Sequence, residues 1–357
     1  LTPKITPNRE EITIFIQAPL RREKLMTDIQ TTVVGSYPIP SWLSAYPSTP
    51  NLRDAILVVL KTQELVGLDV IADGELSRFD PNHPETNGMI DYFVAPMENV
   101  QTYLSRQELA EFRQKAGMGF RAQPAGVVRG PIGEGTLNLP AAWQFVKSLT
   151  DKPLKFTLTA PFMLAKTLVD EYYGDLRAMT MALAEVLRTQ VSEIDAAIVQ
   201  VDEANLPGHP EDVRWAHEPI NHVLSAIQGE KALHLCFGNY GGQSIQKGFW
   251  VDMLGFLNSL DVDHLVLEFA RRGDDELPVF KDLREDIALG VGVIDIKDTQ
   301  IESPETIARR IQQAVDVLGA ARIKWVHPDC GFWMLPRNVA DGKMTALVAG
   351  RDLFLGE

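Results

Sequence analysis

The chain has two cysteines in 357 residues, and each stands close to a histidine: Cys236 in His234-Leu235-Cys236, and Cys330 in His327-Pro328-Asp329-Cys330-Gly331. Imidazole nitrogen and thiolate sulfur are the best side-chain ligands for zinc. The stretch around the first cysteine, KALHLCFG, reads as a strand, where residues i and i+2 share a face, so His234 and Cys236 can reach one ion together. Cys330 closes a second apolar run, IKWVHPDCG, so a shared ion requires two distant strand ends to converge, as in a barrel or at a sheet edge. Taken alone, a His-x-Cys pair in a buried strand is also ordinary core filling, since free cysteine is among the most buried residue types. Cys330 before Gly331 is equally a small residue packed at a strand end. The surroundings decide between these readings.

Those surroundings are a series of short β-rich runs alternating with helical periodicity, the pattern of parallel βαβ units. Strands are predicted at Thr31–Gly35, Val70–Asp73, Lys155–Ala160, Ala197–Glu203, Lys231–Phe237, His264–Ala270, Gly290–Lys297 and Ile323–His327. Between them, apolar residues recur at i, i+3, i+4 and i+7, most clearly over Leu52–Leu65, Leu176–Ile194 and Pro304–Leu318. Eight strands, each followed by helical sequence, predict an α/β fold of the (β/α)8 TIM-barrel type. A doubly wound open sheet would call for a glycine-rich phosphate fingerprint, which is absent. One long insertion follows the second strand, from about Asn82 to Thr150, and its Gly-Pro-rich patch VVRGPIGEGTLNLP suggests an elaborated loop region over the barrel mouth.

In such a barrel the active site lies at the C-terminal ends of the strands. These ends are polar throughout: Gly35-Ser36 on strand one, Asp73-Gly74-Glu75 on strand two, and Asp202-Glu203-Ala204-Asn205 on strand four. Strand five carries His234 and Cys236, strand six Glu268, strand seven Asp295 and Lys297, and strand eight Cys330. Any one of them is also explained as a helix cap or an ion pair, but all lie at the same end of successive strands.

Composition narrows the partners. A net charge of −14 repels nucleic acid and anionic membrane. No apolar run approaches the roughly 20 residues needed to span a bilayer. Two cysteines give no disulfide framework, so a reducing, cytoplasmic compartment is expected. Residues 1–25 lack the apolar core of a secretory signal and are expected to be a disordered or extraneous extension, with the native start at Met26 and one domain over residues 26–357. An ordered arm used in oligomer contacts is the alternative.

The pieces TTVVGSYP, ADGE, VDEANL, HLCFG, LVLEFA, GVIDIK and HPDCG occur in that order from about Thr31 to the C-terminus. In this combination the chain resembles the catalytic C-terminal half of cobalamin-independent methionine synthase. The resemblance implies a TIM barrel with zinc held by His234, Cys236, Glu268 and Cys330. It also implies that the amino group of homocysteine is received by Glu75 and Asp202, with Ser36 near its carboxylate. Two departures stand out. Long members of the family carry a second, N-terminal barrel that helps bind polyglutamylated methylfolate, for which this chain has no room. The family's DEPAL is here Asp202-Glu203-Ala204-Asn205-Leu206.

Two thiolates and a carboxylate around Zn²⁺ leave a site of net charge near −1, poor at activating water but good at holding a nucleophilic thiolate. Hydrolysis would favour a His-rich site. The expected reaction is therefore methyl transfer to the thiol of homocysteine, giving methionine, from a methyltetrahydrofolate or from a methylated corrinoid on a partner protein. Asp295 is the catalytic candidate on strand seven, orienting a polar group or the acceptor's carbon chain. A first rival is alkyl transfer to another thiol, such as epoxide opening by coenzyme M, whose sulfonate would need Arg78, Arg129 or Lys297. A second rival is a non-catalytic protein clamped by structural zinc.

Overall fold

Runs such as ALGVGVI are apolar on both faces because a parallel strand inside a ring of helices is buried on both sides. The computed structural model describes residues 28–83, 88–114, 123–238, 246–272 and 275–357, so the expectations for residues 1–25 and Met26 fall outside the described residues. The strands in chain order are β1 (Gln30–Thr31), β2 (Glu98–Gln101), β3 (Gly126–Gly133), β4 (Lys155–Thr159), β5 (Leu168–Asp170), β6 (Ile198–Glu203), β7 (Glu230–Leu235), β8 (His264–Leu267), β9 (Ala288–Ile294) and β10 (Ile323–Pro328).

Seven of these form one parallel sheet in the order β1-β10-β9-β8-β7-β6-β4. Residues 70–71 join its two edges: Val70 bridges Thr32 and Ile71 bridges Leu154, both in parallel. With this short eighth member the sheet closes in sequence order, as a (β/α)8 barrel. The second predicted strand, Val70–Asp73, is thus reduced to a bridge. The cause is local: Gly74 (φ 72°) and Glu75 (φ 60°) turn the chain through the left-handed region directly after it. A side chain at Gly74 would also meet Tyr37 Cβ at 2.7 Å, so only glycine fits there.

The barrel interior carries its own apolar layer of Val34, Val70, Ile198, Ala232, Val266 and Trp325, separate from the larger core between sheet and helices. Each fully buried aliphatic side chain in these layers contributes roughly 1.5–3 kcal/mol. The outer helices start and stop where the chain chemistry requires. Ser48 and Ser303 accept from Asn51 N and Thr306 N to cap Thr49–Val66 and Pro304–Leu318, and Gly67 (φ 91°) ends the first of these.

The insertion holds helices Asp91–Val94, Arg106–Gln114 and Leu139–Lys147 together with β2 and β3. β2 pairs antiparallel with β3, and β3 pairs parallel with β5. β5 comes from the next βα unit, after β4 and the helix Pro161–Lys166. The insertion therefore completes its sheet with a strand from outside itself.

Candidate active site

β7 ends at Leu235 and β10 at Pro328, so Cys236 and Cys330 leave two strand ends at the same rim of the barrel. Their Sγ atoms lie 4.0 Å apart. The ligand atoms of His234, Cys236 and Cys330 all fall within 4.8 Å of one another. Two sulfurs bound to one tetrahedral zinc at about 2.3 Å would stand roughly 3.8 Å apart, so the spacing fits the ion. His234 Nδ1 lies 2.9 Å from the Val266 carbonyl, to which it can donate, and the buried Nε2 has no hydrogen-bond partner among the described residues. That fixes the ring and leaves the second nitrogen as a ligand.

The electrostatics already favour thiolate here. A hydrogen bond from Cys236 draws the Cys330 thiol well below its ordinary value against burial, helped by His234. The same bond, with burial, pushes Cys236 well above its own. Burial would lower His234, but the adjacent Cys330 sulfur raises it to about 9.

Glu268, buried directly after β8, is not in the three-ligand group. Lys297 Nζ donates to its Oε2 at 3.1 Å, and Arg272 to its Oε1 at 3.3 Å. Glu268 also contributes to the upward push on the Cys236 thiol. Arg272 is itself pinned by Glu276 and by the Phe237 ring, 3.9 Å below its guanidinium. Asp329 fixes the turn that follows Glu268, accepting from Phe269 N and Ala270 N at 2.9 Å each. Gly292 makes room for it, because a Cβ there would lie 2.2 Å from Asp329 Oδ1.

A second group of acids lies on β6 and the barrel strand at residues 70–71. Asp202 stands one residue before the end of β6, with Oδ1 accepting from Gln200 at 2.7 Å, while its buried Oδ2 has no hydrogen-bond partner among the described residues. Burial, then the charge of Glu75, raises the Asp202 carboxyl to about 7. Glu75 accepts from Thr157 Oγ1 at 3.0 Å and pairs with Arg78 at 3.4 Å. Its carboxylate lies against Gly35, where a Cβ would come within 2.3 Å of Oε1. Ser36 abuts Gly331, one residue from Cys330: a Cβ at 331 would stand 1.9 Å from Ser36 Oγ. Asp202 is the cross-strand partner of His234 and Ser36 lies against the residue after Cys330, so these two predicted acceptor residues adjoin the ligand group.

Asp295 is engaged elsewhere. One oxygen accepts from Arg271 Nε at 2.5 Å and the other from Lys297 N at 2.8 Å, so it shapes the turn that carries Lys297. Arg129 lies on β3, bound to Glu108 and Glu171. Arg272, Lys155, Gln200, Thr157 and Asp329 were not foreseen. For Lys155 and Gln200 the signal was a polar side chain inside an otherwise apolar strand.

Residues 29–350 match the family described as "Cobalamin-independent synthase, Catalytic domain". A methionine synthase from Sulfurisphaera tokodaii is 29% identical over 345 residues, spanning 92% of this chain and 93% of its own. One from Sulfolobus acidocaldarius is 28% identical over 341 residues, covering 91% and 92%. Among solved structures, a B12-independent methionine synthase from a Shewanella species, in complex with selenomethionine, aligns with TM-score 0.75 and 21% identity over 91% of this chain and 97% of that one. A putative vitamin-B12 independent methionine synthase from Listeria monocytogenes aligns with TM-score 0.66 and 18% identity over 90% and 96%. The two structures share the barrel fold.

Proposed function

The chain belongs to the cobalamin-independent methionine synthase family, and from that premise we propose that it transfers a methyl group to the thiol of homocysteine, forming methionine. The observation that carries this reading is the 4.0 Å approach of Cys236 and Cys330 beside the buried His234 Nε2, which has no hydrogen-bond partner among the described residues. Zinc bound there supplies the positive charge that keeps an incoming thiol deprotonated and nucleophilic at neutral pH.

The chain's own residues do the rest. His234, Cys236 and Cys330 would hold the ion, with Glu268, now paired with Lys297 and Arg272, as the candidate fourth ligand. Asp202 Oδ2 and Glu75 receive the acceptor's ammonium, and Ser36 lies near its carboxylate. Asp295 acts as a positioning residue through Arg271 and the Lys297 turn. In the transfer one S–C bond forms and the bond from the methyl carbon to the donor breaks. The thiol proton is lost before attack, and a folate donor's released nitrogen takes up a proton. The donor class is a methyltetrahydrofolate or a methylated corrinoid. A cytoplasmic setting suits reduced thiols. No helix among the described residues is long and apolar enough to cross a membrane.

Epoxide opening by coenzyme M is disfavoured by the cations it would need. Arg78 is paired with Glu75 and Arg129 with Glu108 and Glu171, while Lys297 is held by Glu268 in the metal-free site. The deciding experiment assays zinc-loaded protein with homocysteine against each donor, with coenzyme M plus an epoxide as control. Methionine formation supports the proposal; turnover only in the control overturns it.

A further inference from the structure

Beneath the acceptor pocket the barrel interior holds three buried polar side chains in a row, from Lys155 on β4 through Gln200 to Asp202 on β6. Lys155 Nζ donates to Val33 O at 2.8 Å and to Gln200 Oε1 at 2.9 Å. Gln200 Nε2 donates to Val34 O at 2.9 Å and to Asp202 Oδ1 at 2.7 Å. Every polar atom of the glutamine amide is thereby used once or twice, and its orientation is determined. A glutamine amide has one accepting end and one donating end, which differ little in shape. Nζ, satisfied by two acceptors, forces the accepting end toward itself. The donating end must then face Asp202.

From this geometry we infer that Lys155 and Gln200 are positioning residues for amino-group recognition: Lys155 fixes the Gln200 amide, and Gln200 holds Asp202 Oδ1 so that Oδ2 is presented to the acceptor's ammonium. This rests on the proposed role of Asp202. Burial lowers the Lys155 ammonium to about 7, with Asp202 and Glu230 pulling it back up. The arrangement works in either charge state, because a neutral amine still has the two N–H groups that its two acceptors require. Without Lys155 the Oε1 end of the amide loses its donor, and the side chain is held in place only by its two bonds from Nε2, so Asp202 Oδ1 is gripped less firmly.

The test compares homocysteine with 4-sulfanylbutanoate, the same thiol acid without its amino group, as acceptors for the zinc-loaded enzyme. The readout is the ratio of their kcat/KM values. Lys155→Met is expected to cut the preference for homocysteine at least tenfold, mostly through KM, with zinc still at one per chain. Gln200→Glu keeps the size of the side chain and its bond to Lys155 but removes the donor to Asp202, and should do the same. The two effects should not add: in a Gln200→Glu background, Lys155→Met should change the ratio less than twofold, because the lysine acts only through the amide. Full additivity, or an unchanged ratio in both single variants, overturns the inference. Asp202→Asn separates the two levels. If it leaves the ratio unchanged, the role of Asp202 itself fails. If it collapses the ratio while Lys155→Met and Gln200→Glu do not, only the positioning chain fails. If Lys155→Met does not fold, Gln200→Glu decides alone.

Discussion

Lys297 Nζ and Glu268 Oε2 meet at 3.1 Å, with side chains only 2% and 4% exposed. Burial alone would lower the Lys297 ammonium, yet Glu268 and Asp329 hold it above its ordinary value. A buried carboxylate next to thiols requires a countercharge, and here the lysine provides it. A divalent ion on Cys236 and Cys330 would provide the same charge, so lysine and metal compete for Glu268. Lys297→Met is therefore expected to tighten zinc binding several-fold in a chelator competition. Glu268→Gln should weaken it about 10- to 100-fold. Unchanged affinity in Glu268→Gln would leave Glu268 as an ion-pair partner only.

Cys236→Ser and Cys330→Ser should each lose most of the bound zinc and all methyl transfer. An alcohol is a far poorer zinc ligand than a thiolate, and the remaining sulfur would lose the partner 4.0 Å away. Metal analysis of the purified variants checks this. One equivalent of zinc in both would remove these sulfurs from the ligand set.

Glu75 and the space that admits it should act as a unit. Glu75→Gln keeps the shape but loses the charge, and Gly35→Ala puts a methyl group 2.3 Å from where Oε1 now sits. Both are expected to raise the homocysteine KM at least tenfold while zinc content stays at one per chain. A normal KM with full zinc in Glu75→Gln would reduce Glu75 to an anchor for Arg78.

At the far end of the barrel, Glu230 should carry a pH-dependent share of stability. Burial would raise its carboxyl, but His264, Lys324 and Trp325 together draw it from 4.5 down to about 2. A depressed carboxyl stabilises the fold fully above its unfolded value near 4.5, and that contribution fades as pH falls toward 2. His264 is itself lowered by burial, so at neutral pH it acts as an uncharged donor. The contribution is then roughly 1–3 kcal/mol at pH 7. Glu230→Gln should show that deficit in urea unfolding at pH 7, shrinking by at least half at pH 3. A gap that ignores pH would assign the cost to packing.

A chain beginning at Met26 is expected to retain its melting temperature and zinc content. The family match itself begins at residue 29. A marked loss of either would show that the earlier segment packs on the barrel.

The strands with long ladders were readable because burial on both faces writes a continuous apolar run, as in β9. The strand at residues 70–71 was read too long, since its end depends on the left-handed Gly74-Glu75 turn and not on apolar content. His234 and Cys236 were legible through the two-residue period of a strand. The ion pair of Glu268 with Lys297 was not, because the lysine reaches it from the turn after β9, 29 residues on, and no local pattern encodes that approach. For the same reason β5 could not be assigned to the insertion's sheet: its pairing with β3 crosses an entire barrel strand.

The closing seam of the barrel divides the active site by rigidity. β7, which leads to Cys236, is laddered to β6 over residues 198–203 and to β8 along its other edge. The strand leading to Glu75 has no ladder, only the Thr32–Val70 and Ile71–Leu154 bridges with single bonds from Gln63 to Ala72 and from Tyr37 N to Gly74 O, and the one leading to Ser36 has two paired residues on its other side. Local opening costs least where backbone pairing is sparse. Amide hydrogens at residues 32–36 and 70–75 should therefore exchange with solvent well before those at 230–236. The edge that carries Glu75 and Ser36 is thus expected to open more readily than the strands that lead to the sulfurs.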